Sequence, residues 1–382
     1  MRISAEGAAT ALVLTVQART GRAADAGFLQ TALTLPYVLS GPVIGHLLDR
    51  AARPRVPALL LAAGYAVATV ALFLVAGRSP LILALAVAAV VGCTEPIVVA
   101  LTSMLPRFVP AERLPRAYGL EASSYSVAAI AGPGLAAAIA ASAGGSLSGA
   151  AIVAAAGAGA VVLAFLRLPG PGREPERAGL RSVVAGGLRV LVANRVLRAL
   201  TVATTFGWLG FGGVAVTAVL FAEHIGADAS AGGRLLVAFA AGSLVGSLAS
   251  SRWLKARFAE RVVLGGLVAF GAAVALVCLA PSLPWALACF LLVGLVEGPV
   301  FTATLMLRQR ESPPDRLGQV NTTGGSLKIA GSAVGAALTG AFADAIGPVG
   351  LLLAIAACQL IGALAGLLVL VSRSGRGSAS PG

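Results

Sequence analysis

The sequence predicts an all-α membrane protein of twelve transmembrane helices, set as two six-helix bundles related by an internal repeat. Three observations predict it. Of 382 residues, 58% are hydrophobic and 11% charged, with a mean hydropathy of +0.93. That is too little charge to cover a water-soluble surface of this size. Apolar stretches of about 20 residues recur along the whole length, as bilayer-spanning helices require. Short motifs of the first half recur in the second. Hydrocarbon gives a backbone amide no external partner, so the long apolar runs must be helices, and the alternating segments of a membrane barrel do not occur.

In chain order the spans fall at 3–18, 24–48, 56–77, 80–105, 115–142 and 147–168, then 196–221, 229–254, 261–281, 283–307, 317–345 and 347–372. The most hydrophilic interior stretch, 169–181, is rich in Pro, Gly and charge and suits a solvated linker. Residues 182–198 mix Val183, Val184, Leu188, Val190 and Leu191 with Arg189 and Arg195, the pattern of a short amphipathic helix on a membrane surface. The expected organisation is therefore a first bundle over 1–168, a linker over 169–195, a second bundle over 196–372 and a disordered tail over 373–382.

The net charge of +13 is distributed by topology and gives no sign of nucleic-acid binding. With the N-terminus placed in the cytoplasm, 23 of the 28 Lys and Arg residues flank the cytoplasmic ends of the spans, among them Arg2, Arg50, Arg53, Arg107 and Arg308. Four (Arg19, Arg22, Arg78 and Arg234) lie outside, and Lys328 falls within a span. This positive-inside bias puts both termini in the cytoplasm. The excess of Arg over Lys, with abundant Ala and Gly, fits a GC-rich bacterial genome, and the expected location is the bacterial inner membrane. Cys93, Cys278, Cys289 and Cys358 sit in apolar spans without metal-ligand spacing, so neither a disulfide framework nor a metal site is expected. Glu6 interrupts the first apolar run, which argues against a signal peptide.

The repeat is legible residue by residue. Val91-Gly92-Cys93-Thr94-Glu95-Pro96 answers Val293-Gly294-Leu295-Val296-Glu297-Gly298-Pro299, Ala111-Glu112-Arg113-Leu114 answers Pro314-Asp315-Arg316-Leu317, and Gly132 answers Gly335. A parallel repeat of this kind lets two similar bundles tilt about a site between them. The same offset places the counterpart of the seventh span's start before Met1. The first span is accordingly short, about 24 Å of helix against a hydrocarbon core near 30 Å. Either the start codon is assigned late or the bilayer thins around the helix.

Between the second and third spans stands Gly45-His46-Leu47-Leu48-Asp49-Arg50-Ala51-Ala52-Arg53. This G-x-x-x-D-R-x-x-R loop, at this position in a six-plus-six chain, resembles the signature loop of the major facilitator superfamily, and the resemblance extends over essentially the whole chain. Gly45 permits close helix approach. Asp49 can pair with Arg50 or Arg53, or face the positive end of a neighbouring helix. The resemblance implies that this helix is the eleventh span, starting near Leu317, and that the contact latches an outward-facing state. The second-half loop, Gly246 to Arg252, keeps the glycine and a basic residue but not the acid. In the fifth span Gly119, Gly132 and Pro133 match the spacing of the superfamily's antiporter pattern, with Ala128, Ala136 and Ala137 at its other glycine positions. Small residues there allow tight packing, and Pro133 bends the helix.

Ionisable groups inside hydrocarbon are functional candidates by default. Glu95, Glu297, Lys328 and, if its span is completed, Glu6 fall at one depth near the midplane. The resemblance implies that spans one, four, seven and ten line the cavity, where a carboxylate can carry a coupling proton. Glu297 ranks first, with Lys328 either its ion-pair partner or half of a static buried pair. Glu95 stands beside the Pro96 kink and Glu6 in an incomplete helix. Trp208, flanked by Phe206 and Phe211, can stack on an aromatic substrate or serve as packing. Asn321, Gln359 and Gln17 read as interhelical hydrogen-bonding residues, and His46 as a packing one.

The function so implied is secondary active transport: proton-coupled export of small amphipathic or drug-like molecules by alternating access, by a monomer without cofactor. Small-molecule substrate, protons and the lipid bilayer are the expected partners. The alternatives are an importer or uniporter on the same fold and, from another class, a transport-inactive sensor or scaffold. An enzyme or ATP-driven permease finds no support. The chain has two histidines, His46 and His224, and neither a phosphate-binding Gly loop nor a Ser/His/Asp arrangement.

Overall fold

The computed structural model describes residues 1–20, 23–166, 168, 180–227 and 230–372. Linker residues 169–179 and the tail 373–382 lie outside the described residues. Every regular element among those described is helical: α1 (Arg2–Thr20), α2 (Ala23–Arg50), α3 (Arg55–Val75), α4 (Leu81–Thr94), α5 (Ile97–Ala100), α6 (Leu105–Phe108), α7 (Leu114–Ala143), α8 (Gly149–Phe165), α9 (Leu180–Ala193), α10 (Arg195–Phe211), α11 (Val214–His224), α12 (Ser230–Trp253), α13 (Ala259–Val277), α14 (Leu283–Glu311) and α15 (Leu317–Val371). Among them, ten stretches are long and apolar enough to cross a membrane.

Twelve spans are expected from the sequence, and the difference has physical causes. The Arg2–Thr20 helix is not among the ten, because Arg2, Glu6, Gln17 and Arg19 dilute its apolar residues. The Leu317–Val371 stretch counts once, although Gly347, at φ +65°, leaves the helical region just before Pro348. A left-handed glycine followed by a residue without an N–H divides one helix from the next. The break falls between the two spans expected at 317–345 and 347–372.

Two other spans are interrupted where the sequence places helix breakers. The fourth passes from α4 through Glu95 and Pro96 to α5, then through a 3₁₀ turn at Leu101–Met104 to α6. Pro96 supplies no N–H to the preceding turn. The seventh breaks at Gly212 and Gly213, between α10 and α11. The amphipathic segment forms α9, whose Leu191 is buried with Leu197 and Val320. One face of α9 thus covers the start of α15.

α1 packs on α7, α8 and α2, and α3 on α4 and α8; α10 packs on α15, and α14 on α12 and α13. One buried apolar cluster is built from residues 11–156 and another from residues 218–356. The two groups of helices meet along α2 with α15 and along α7 with α12 and α14. Small residues permit these crossings. Any Cβ on Gly45 would collide with Thr322 Oγ1 and the Gly318 carbonyl, and one on Gly119 with the Ser251 side chain. Gly132 instead closes α7 on α1, where a Cβ would stand 2.6 Å from the Gly7 nitrogen. The antiporter-like glycines therefore serve two different contacts, one between the helix groups and one within the first. Pro133 lies inside α7, which runs through it without interruption.

A central cavity with acidic and basic walls

Asp49 ends α2, and its carboxylate meets the start of α15. Oδ1 accepts a hydrogen bond from the Gly318 N–H at 2.9 Å, and Oδ2 one from Gln319 N–H at 2.8 Å. The first amides of a helix have no partner within it, and their summed dipole favours an anion. Asp49 is 2% exposed, so these bonds are sheltered from water. Its nearest cation is Arg107, with Nη2 3.9 Å from Oδ1, and neither Arg50 nor Arg53 fills that place. Arg50 turns to Asp315 across the same crossing, at 3.7 Å, and Arg53 is exposed. The helix expected from the resemblance is the one Asp49 caps. The second half has no such cap at the matching place, where α7 carries Pro115 in its first turn, a residue with no N–H to donate.

Beyond this closure lies a cavity of about 450 Å³ lined by α1, α2, the join at Glu95 between α4 and α5, α5, the following 3₁₀ turn, α7, α10, α14 and α15. Glu6, Glu95, Lys328 and Trp208 all face it. Among the described residues, neither Glu6 nor Glu95 has an ion-pair or hydrogen-bond partner within the protein. Glu6 is exposed and Glu95 half-buried; they are near enough to feel one another's charge, and Glu6 also that of Arg2. Like charges sharing one site make its occupancy by protons sensitive to the other group. Aromatic side chains complete the wall: Trp208 lies 5.0 Å from Phe211 between ring centroids, and Tyr125 meets Phe301 edge-on at 5.2 Å.

Glu297, ranked first from the sequence, lies elsewhere. It lines a side pocket of about 40 Å³ with Trp208, Lys328 and Gln359. Its Oε2 accepts from Ser243 Oγ at 2.5 Å, and Ser243 shares a 3.0 Å hydrogen bond with Ser126 of α7. The expected Glu297–Lys328 ion pair does not form. The Lys328 ammonium lies instead 5.4 Å from the ring centres of Trp208 and Phe301. Helical periodicity carries the reason: the turn that holds Glu297 faces α12 through Gly294 and Gly298, both in backbone contact with it.

Three charged residues of the site are absent from the sequence-based candidates. Arg2 and Arg308 were assigned there to the cytoplasmic flank. Arg2 pairs with the Glu121 carboxylate of α7, contacts Ser124 and lies 4.0 Å over the Tyr125 ring. Arg308 is 3% exposed, because α14 runs to Glu311, past the expected edge at 307. Only the charge of these residues within a helix length of the cavity marked them. Gln359 behaves as expected, donating to the Gly207 carbonyl at 2.8 Å. Cys93, in the fourth apolar span, is exposed on the helix surface.

A family model described as Major Facilitator Superfamily matches residues 2–320 and 200–382. Among curated relatives, the multidrug efflux pump Tap of Mycobacterium tuberculosis is 30% identical over 349 residues, covering 86% of this chain and 81% of its own. Tap of Mycolicibacterium fortuitum is 28% identical over 340 residues, covering 86% and 82%. An uncharacterized MFS-type transporter, y4rN of Sinorhizobium fredii, is 27% identical with the same coverage. Among solved structures, the Escherichia coli fucose:proton symporter FucP superposes with a TM-score of 0.76 at 15% identity, over 98% of this chain and 96% of that one. The human organic anion transporter MFSD10 superposes at 0.75 with 18% identity, over 89% and 83%.

Proposed function

The chain belongs to the major facilitator superfamily of membrane transporters, and on that premise we propose that it exports small amphipathic, drug-like molecules in exchange for protons. It does so as twelve spans in two six-helix bundles, over 1–168 and 196–372, with both termini in the bacterial cytoplasm. The observation that carries this reading is the cavity between the helix groups, which joins two carboxylates, Glu6 and Glu95, without an ion pair among the described residues, to an aromatic wall. Such a site offers a proton and an amphipathic molecule the same place at different times, which is what exchange requires. The likeness to efflux pumps at 28% and 30% identity favours the outward direction.

The charge bias puts the Arg-rich loops inside. Asp49, Gly45 and Gly119, which close the helix groups on one another, then lie on the cytoplasmic side, and the arrangement is outward-facing. In this reading Asp49 is the latch of that state. Glu6 and Glu95 are the proton carriers, and Glu297 is a second candidate that acts through Ser243 and Ser126 on the α7–α12 crossing. Trp208 stacks on the substrate.

Expression in a bacterial host lacking its own drug pumps tests the direction. Cells carrying the chain are expected to hold several-fold less of at least one fluorescent amphipathic dye from a panel of anions and cations. A protonophore is expected to restore the dye level. Equal accumulation of every dye with and without the chain would overturn drug-like export, and higher accumulation with it would indicate an importer.

A further inference from the structure

The second-half wall of the cavity carries two buried cations, Arg308 and Lys328, neither of which forms an ion pair among the described residues. Arg308 lines the cavity at 3% exposure. Its Nη1 reaches the Asn321 carbonyl at 3.5 Å, while Nε and Nη2 have no hydrogen-bond partner among the described residues. Lys328, at 5% exposure, lines the same wall, with the rings of Trp208 and Phe301 5.4 Å from its ammonium; it feels the charges of Arg308 and of Glu297 in the side pocket, and among the described residues it forms no ion pair with that carboxylate.

The internal repeat makes the vacancy specific. The spacing that pairs Gly132 with Gly335 also pairs Glu121 with Gly324 and Tyr125 with Lys328. In the first half Glu121 neutralises Arg2. In the second half the Arg308 guanidinium lies on Gly324, where a Cβ would stand 2.5 Å from Nη2. Where one half has an acid beside its arginine, the other has a glycine and a second cation. A buried guanidinium with free N–H groups is costly unless an anion meets it, and its planar fork suits a carboxylate or sulfonate.

We propose that Arg308 and Lys328 form a binding site for the anionic group of a small aromatic substrate, whose ring lies against Trp208 and Phe301. This rests on the cavity being the transport site, and it names the substrate class: aromatic carboxylates and sulfonates, including zwitterions whose cationic end faces Glu6 and Glu95 across the cavity.

The test is binding, so that neither proton coupling nor direction of transport enters it. The full chain in lipid nanodiscs is titrated calorimetrically with 1-naphthalenesulfonate and, separately, with 1-naphthylmethylammonium, which keeps the ring and reverses the charge. The sulfonate is expected to bind more tightly than the ammonium. Arg308→Gln is expected to weaken the sulfonate by about tenfold or more, as loss of a charge-assisted pair does, while leaving the ammonium unchanged or tighter. Arg308→Lys is expected to recover part of the loss, which a merely structural arginine would not do for one ligand alone. Lys328→Gln supplies the same comparison should Arg308→Gln not fold. Equal binding of the two probes, preference for the ammonium, no sulfonate binding at millimolar concentration, or equal effects of a substitution on both would each overturn the proposal. A chain that binds the sulfonate selectively yet expels no dye would contradict the export reading and leave this one standing.

Discussion

Replacing Glu6 and Glu95 together by glutamine is expected to abolish gradient-driven transport while substrate exchange continues. Glutamine keeps the size and hydrogen-bonding capacity of each side chain and removes its proton. Both carboxylates face the cavity, and among the described residues neither makes an ion pair or hydrogen bond that the substitution would break. Energy-independent counterflow, in which labelled substrate enters against unlabelled substrate, needs the conformational cycle without net proton movement. The double variant should therefore retain counterflow within about twofold and lose at least about tenfold of uptake driven by a pH gradient, a gap of roughly 1.4 kcal/mol in the coupling. Each single variant should fall between. Loss of both activities together would make the pair structural. Retention of both would move the coupling to Glu297, whose carboxylate is bound to Ser243.

Asp49→Asn carries the second large effect. The substitution leaves one acceptor oxygen where two now meet the Gly318 and Gln319 amides, and it removes the charge at the helix end. Loss of a charged helix cap costs about 1–2 kcal/mol, or a factor of roughly 5–30 between two states. The arrangement closed at the Asp49 end should lose population by that factor, and transport should slow about tenfold with membrane insertion unchanged. Thiol labelling reads the population directly. Ser326 is buried against Gly41 at this crossing. In a background without native cysteines, Ser326→Cys should react several-fold faster once Asp49→Asn is added. An unchanged labelling rate with slowed transport would separate Asp49 from closure.

The residues that made the fold legible are those whose chemistry is local. Apolar run length placed α2, α3, α7, α8, α12, α13 and α14 within a few residues of their observed ends, because hydrocarbon leaves a chain no other economical conformation. Pro96 marked a break for the same local reason, and the boundary expected between spans 317–345 and 347–372 falls at Gly347. The Asp49 motif was readable because a short loop fixes where its acid can reach. The side chains within the bundle were less so. Glu297 and Glu95 stand at matching places in the repeat, yet one turns to Ser243 and the other to the cavity. The difference depends on helix rotation, which the neighbours set: Gly294 and Gly298 bury the Glu297 turn on α12. Arg2 and Arg308 were misplaced for a related reason. A long side chain at a helix end can snorkel outward or turn inward, and only the partner helix, offering Glu121 to one and Gly324 to the other, decides.

The central claim is that one molecule moving outward is exchanged for protons through this cavity. Everted membrane vesicles, acidified inside by respiration and loaded with a pH-sensitive dye, test it most directly. Addition of a transported compound should partly collapse the gradient as protons leave in exchange for it, and vesicles bearing the Glu6→Gln, Glu95→Gln chain should hold their gradient under the same addition. Uptake of the compound with no change in internal pH would contradict exchange and make the chain a facilitator.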